Sequence, residues 1–391
     1  VEAAMPAGTY SDDTQLRLAT CRAIRDDGEF DVDSFARVEL VAWQAYHLGA
    51  GRGSKAAAAG MSRSEARWSQ NTFATRDVRY VEVGGNGAAM RIQPHVWAAR
   101  SLTDPTRVLP GVLRDAVSTH GHPVGIVGAV FHAVCLMLTL DQGAVPSPGQ
   151  WPLLGKMTST LLDVIASDDE LNGLWRPAWE VAARRPLIPA LKETLGDLEA
   201  QLARVAALLK ARNGGPQDEY LAVLEAVDGF EQATRGSGIG TTVAALALAA
   251  AAEDPGDALR MAANTLGSDT DTIATMAGAL MGAVIADHPP TPFQDSRYVD
   301  REAYRLHAVA TGSGSPVPPF RYPDLFRWNP PRTGLDLVGL AEGQLALAGL
   351  GALSELGPAI HGGGARTPTT FQWMELPFGQ RVLVRFRPDP K

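Results

Sequence analysis

Cysteine is almost missing from this sequence. The two that occur, Cys21 and Cys135, sit in apolar, helix-like stretches where a thiol serves as a small core side chain. A disulfide framework or a thiolate metal site is therefore not expected. An excess of positive charge is missing too: 35 Lys and Arg against 43 Asp and Glu leave a net charge of −8. Nucleic-acid backbones are held by clustered cations, so the chain carries no strong signal for binding one. Neither a secretory signal nor a membrane anchor is expected. The opening "VEAAMPAGTYSDD" has no basic start and no apolar run. The most apolar stretch, "VGIVGAVFHAVCLMLTL" from Val124 to Leu140, contains His132 and is slightly short for a span. It reads as a buried core helix, and the cytoplasm is the expected location.

What is present is a packed globular chain, 45% apolar and 20% charged. Helical periodicity dominates to about residue 290, in "TQLRLATCRAI", "DSFARVELVAWQAYHLG", "GAAMRIQPHVWAAR", "ALKETLGDLEAQLARVAALLKAR", "TTVAALALAAAAE" and "TIATMAGALMGAVIA". Turn chemistry punctuates it at 26–28, 49–54, 212–217 and 253–257. The fold class this predicts is all-α, a compact multi-helix bundle spanning 1–289. Beyond Pro289 the prolines come at a spacing no helix tolerates, so 290–334 is expected to wrap irregularly over the core. A helix over "LDLVGLAEGQLALAGLGALSEL" and a β-hairpin over "TTFQWMEL-PFGQ-RVLVRFRP" complete a 290–391 extension packed on that core.

Two acid clusters carry the chemistry. In "GTYSDDTQLRLA", Ser11, Asp12, Asp13 and Thr14 crowd a helix start; in "TLGSDTDTIATM", Ser268, Asp269, Thr270, Asp271 and Thr272 crowd another. Either cluster alone is explained as helix capping, because Ser and Asp satisfy the first amides and complement the positive end. Two such clusters allow a different reading. Four carboxylates brought together repel one another unless cations intervene, and hard oxygen ligands suit Mg2+, Mn2+ or Ca2+ while the lack of a Cys/His set disfavours zinc. A metal pair about 3.5–4 Å apart can hold a water and orient a diol or phosphate. Gly278 and Gly282 on the second helix are expected to admit a close neighbour.

Further motifs follow in order: Gly84, Gly85, Asn86 and Gly87 in "GGNGAAMRI", a loop expected to open a helix near Ala88; His120 and His122 in "STHGHP"; Gly238 and Ile239 in "GSGIGTTVAALA". Alone, these read as ordinary turns, a capping histidine and a core aliphatic. Together with "SDDT" and "GSDTDTIATMAGALMGAVIA", they resemble the ADP-ribosylglycohydrolase family over roughly residues 8–288. The resemblance implies an all-α bundle with two Mg2+ (or Mn2+) in a central cleft. Ser11, Asp12, Asp13, Asp269, Asp271 and Thr272 would be the metal ligands, with Asp12, Asp13 and Asp271 catalytic. Gly84, Gly85, Asn86, Gly87, His120, Gly238 and Ile239 would face the substrate, His122 more weakly, with Asp115 either orienting His120 or facing solvent. The implied activity is hydrolysis of an O-, N- or S-linked ADP-ribosyl bond, with a metal-activated water attacking the distal ribose of a modified protein, nucleic acid or small acceptor. One departure stands out. Family members begin with a Gly-rich helix followed by a glutamate; here that segment is expected to be missing, Glu2 being the only early acid, or another carboxylate takes over the proton transfer. A catalytically silent ADP-ribose and metal binder that kept the cleft is the alternative. A two-metal phosphohydrolase is disfavoured by the lack of His-Asp pairing.

Overall fold

Ala- and Leu-rich periodic segments become helices in the computed structural model, which describes residues 5–211, 214–285, 292–364 and 367–388. Glu2 and the 289/290 boundary lie outside the described residues. The helix Pro123–Gln142 runs through the middle; it is apolar all round, with 83% of its most apolar window buried inside the protein. Its main neighbours are the helices Pro105–Val117 and Gly238–Ala251. The second approach is unusually close because two glycines meet: a Cβ on Gly128 would stand 2.4 Å from the carbonyl carbon of Gly238. By contrast, Gly282 has nothing within 4 Å of a Cβ position and Gly278 meets only a Leu259 methyl at 3.5 Å. The close approach expected at Gly278 and Gly282 is instead made at Gly128 and Gly238.

One expected helix is mostly coil. Within "GAAMRIQPHVWAAR" only Gln93–Trp97 is helical, and residues 86–91 form a chain of tight turns. Pro94 explains this. In a helix starting at Ala88 its ring would clash with the Met90 carbonyl, which is turned away to accept from Arg17 Nη2 at 2.9 Å.

The expected irregular wrap over 290–334 is interrupted by a helix, Ser296–Thr311, because no proline falls between residues 293 and 315. Its buried face carries Tyr298, Glu302, Arg305, Leu306 and Val309; residues 312–333 do run without regular structure. The helix expected over 335–356 is also wrong. That stretch forms a 3-10 turn and then β1 (Val338–Ala341), β2 (Gln344–Leu347), β3 (Gly351–Ala352) and β4 (Ser354–Glu355). Glu342 and Gly343 both take positive φ, 52° and 81°, which makes the two-residue turn a hairpin favours. The glycines crowded here each penalise a helix by about 1 kcal/mol. The expected hairpin is present as β6 (Thr367–Glu375) and β7 (Arg381–Phe386), paired antiparallel from Glu375↔Arg381 to Thr370↔Phe386. Along the other edge of β6 lie β4 and then β5 (Ile360–Gly364).

Buried polar groups tie this extension to the helices. Arg22 forms a two-pronged pair with Glu39, both contacts 2.7 Å, and also donates to Tyr298 and Gln380. Tyr322 donates to the same Glu39, and Asp295 accepts from Tyr10 and Arg381.

Candidate active site

Both acid clusters stand at helix starts, yet neither caps its helix. Ser11 occupies the N-cap position of Asp12–Ala23 without a side-chain cap bond; its hydroxyl instead donates to Asp13 Oδ2 at 3.1 Å. Asp269 occupies the same position ahead of Thr270–Gly282, again without capping, and accepts from Asn86 Nδ2 at 2.7 Å. The capping explanation is therefore not the one the structure adopts. The two helices pack against each other, so both clusters open onto one cleft of about 800 Å³.

Burial sets the electrostatics. Asp12 and Asp13 are 6% and 2% exposed. Burial, reinforced by the charge of Asp271, pushes the Asp12 carboxyl up to about 7 and that of Asp13 up to about 8. Asp269 rises to about 6, again chiefly by burial, with the Asn86 amide opposing. One oxygen, Asp13 Oδ1, is buried without any hydrogen-bond partner. Crowded carboxylates, an orphaned oxygen and adjacent hydroxyls make a hard donor set that fits a divalent cation. Among the described residues, no group of three or more His, Cys, Asp or Glu side chains already converges into a cage. The fit thus lies in the donor chemistry and not in a closed geometry.

Asp12, Asp13, Asp269, Asp271 and Thr272 line the cleft, as do Gly84, Gly85, Asn86, Gly87, His120 and His122. Three expected site residues do not. Ser11 is outside the lining, its hydroxyl bonded to Asp13. Gly238 and Ile239 are buried in the first turn of their helix, where Gly238 lies against the backbone of Val124 and Gly125; the residues that face the cleft are Gly236 and Ser237, immediately before them in the chain. The glycine loop opens no helix. It is strapped to that turn by Asn86 N→Gly236 O and Gly238 N→Gly84 O, both 2.9 Å. Asp115 neither bonds His120 nor faces solvent: it is fully buried and bonds Arg91, His95 and Thr20. His120 bonds Thr119 through Nδ1, and burial lowers it to about 3. His122 caps Pro123–Gln142 by accepting from Val124 N.

Sequence reading missed Arg52, Ser54, Glu82 and Arg235, all of which line the cleft. For Arg52 and Ser54 a signal existed: "GAGRGSK" is a glycine-rich, basic loop running into the helix Arg52–Met61, a pattern suited to anions, although it reads first as a break.

Residues 2–288 match the ADP-ribosylglycohydrolase family, and the chain belongs to that family. Membership places it among hydrolases of the ADP-ribosylglycohydrolase type. A solved structure described as an ADP-ribosylglycohydrolase-related protein complex is similar over 78% of this chain and 83% of its own, at 19% sequence identity and a TM-score of 0.47. No curated protein matches.

Proposed function

We propose that this protein hydrolyses the glycosidic bond between the distal ribose of an ADP-ribosyl group and an acceptor, aided by two Mg2+ ions for which Mn2+ can substitute. The observation that carries the proposal is the meeting of Asp12 and Asp13 with Asp269 and Asp271 in one cleft, with Asp13 Oδ1 left unpartnered. Asp12, Asp13, Asp269, Asp271 and Thr272 would hold the cations, with Ser11 fixing the Asp13 carboxylate. Bound there, divalent ions neutralise the carboxylates and supply Lewis acidity toward ribose hydroxyls and water. Water adds to the anomeric carbon as the bond to the acceptor breaks, and the acceptor leaves with a proton. Asp12, Asp13 and Asp271 orient the water and the ribose. Arg52 and Arg235 complement the negative diphosphate, and the Gly84–Gly87 loop lets backbone amides approach it.

One observation favours a second reading, a silent ADP-ribose binder. Apart from the aspartates, Glu82 is the one carboxylate lining the cleft among the described residues, and it is exposed and paired with Arg79. It is poorly placed to supply the acceptor's proton. Incubation with ADP-ribosyl-arginine, ADP-ribosyl-serine and ADP-ribosylated nucleic acid, each with Mg2+ or Mn2+, separates the two. We expect ADP-ribose release from one of them, abolished in Asp271→Ala together with Mn2+-dependent thermal stabilisation. Tight ADP-ribose binding by calorimetry with no release from any substrate would sink the hydrolase and leave the binder.

A further inference from the structure

His120 is held from behind by a chain of fully buried groups. Arg91 donates from Nε to Asp115 Oδ1 at 2.7 Å, from Nη1 to the Gly87 carbonyl at 2.7 Å, and from Nη2 to Thr119 Oγ1 at 2.8 Å. Thr119 Oγ1 stands 2.7 Å from His120 Nδ1. A guanidinium can only donate, so the Thr119 oxygen is an acceptor toward Arg91. Its own hydrogen has two possible destinations, His120 Nδ1 at 2.7 Å and the Ala116 carbonyl at 3.5 Å. Only the first is a normal hydrogen-bond length. Nδ1 is then an acceptor, and a neutral imidazole must carry its hydrogen on Nε2. Burial, and after it the neighbouring Arg91 charge, keep the ring neutral.

The opposite edge of the ring meets the glycine loop. A Cβ on Gly87 would lie 3.0 Å from His120 Cε1, 3.1 Å from Nε2 and 3.0 Å from Ser54 Oγ, and all three residues line the cleft. The missing side chain of Gly87 is what leaves the Nε2 edge open. We propose that Arg91 and Thr119 are positioning residues that lock neutral His120 as its Nε2–H tautomer, so that its cleft-facing edge serves only as a donor, reserved for an oxygen acceptor of the ADP-ribosyl group. The lock itself follows from the protein's own contacts, whereas the identity of the acceptor rests on the functional reading above. Arg91 serves both sides of the contact, since the guanidinium that orders Thr119 also holds the Gly87 carbonyl.

Long-range 1H–15N NMR of histidine-labelled protein tests this without turnover, the His120 signals being assigned by their loss in His120→Gln. The expected result is an Nε2–H ring in the wild type and in Thr119→Ser, and a mixed or inverted tautomer in Thr119→Val. ADP-ribose affinity should fall about three- to tenfold in Thr119→Val, the usual effect of losing one neutral hydrogen bond, and recover in Thr119→Ser. An Nδ1–H ring in the wild-type protein overturns the lock whatever the variants do. Titration with ADP-ribose should move the Nε2 resonance; a ring left unmoved by bound ADP-ribose overturns the donor role. ADP, which lacks the distal ribose, moves it as well if the acceptor is a phosphoryl oxygen and leaves it unmoved if the acceptor is a distal ribose hydroxyl. If calorimetry finds no ADP-ribose binding while the ring is Nε2–H, the functional reading fails and the lock is upheld.

Discussion

His132 sits midway along Pro123–Gln142 with 1% of its surface exposed, its Nε2 2.9 Å from the Gln93 amide. Burial lowers it from 6.5 to about 3. Between those values the unfolded chain binds the proton and the folded one does not. Stability conferred by the neutral ring is therefore fully present above about 6.5 and is lost as pH falls, by about 1.4 kcal/mol per unit. Because other buried groups titrate over the same range, the readout is the difference between proteins: in urea denaturation from pH 7 to 4, the stability of His132→Gln should fall with pH less steeply than that of the wild type, by about one proton's share; an unchanged slope would contradict the assignment. At this scale the acid clusters were legible, because Ser, Asp and Thr in that order at two helix starts mark them by type alone. The indirect role of Ser11 was not legible, since nothing local says whether a hydroxyl caps its helix or braces a carboxylate. Asn86 was legible as a site residue, but its amide is spent on Asp269 and Thr241, partners brought to it only by folding.

Among elements, the crossing of Pro123–Gln142 with Gly238–Ala251 depends on one contact. Gly128→Ala places a methyl against the Gly238 backbone, which cannot yield as a side chain can. We expect a loss of about 1–3 kcal/mol or more, read from chemical denaturation. Gly278→Ala is the control: with only Leu259 at van der Waals distance, it should stabilise by up to about 1 kcal/mol through helix propensity. Equal effects of the two would show that the crossing is not glycine-dependent. Helices were readable where apolar periodicity ran long, and the hairpin of β6 and β7 where alternation surrounded a glycine turn. The segment 335–356 was not, because its small apolar residues satisfy a helical and an alternating pattern equally well. Turn geometry at Glu342 and Gly343 decided between them, a property of backbone and packing together.

For the whole molecule, the helical region and the C-terminal extension meet at Arg22 and Glu39, which are almost wholly buried. Arg22→Met leaves the Glu39 carboxylate without its countercharge and should cost about 3–5 kcal/mol. Limited proteolysis should then cut within 312–333 sooner than in the wild type, and Arg22→Lys should not restore resistance, because an ammonium cannot form the two-pronged pair. Wild-type stability and cleavage in Arg22→Met would show that docking does not depend on this pair. The sequence alone determined most of the helices before residue 285, the positions of the two acid clusters and the glycine loops, since periodicity, capping-type residues and turn chemistry act over a few neighbouring residues. Only the tertiary structure decided which of those residues face the cleft, that Gly238 and Ile239 turn into the core, and that Arg52 and Arg235 join the site. Those outcomes depend on how helices distant in the chain cross, and a crossing is set by the shapes of two surfaces at once.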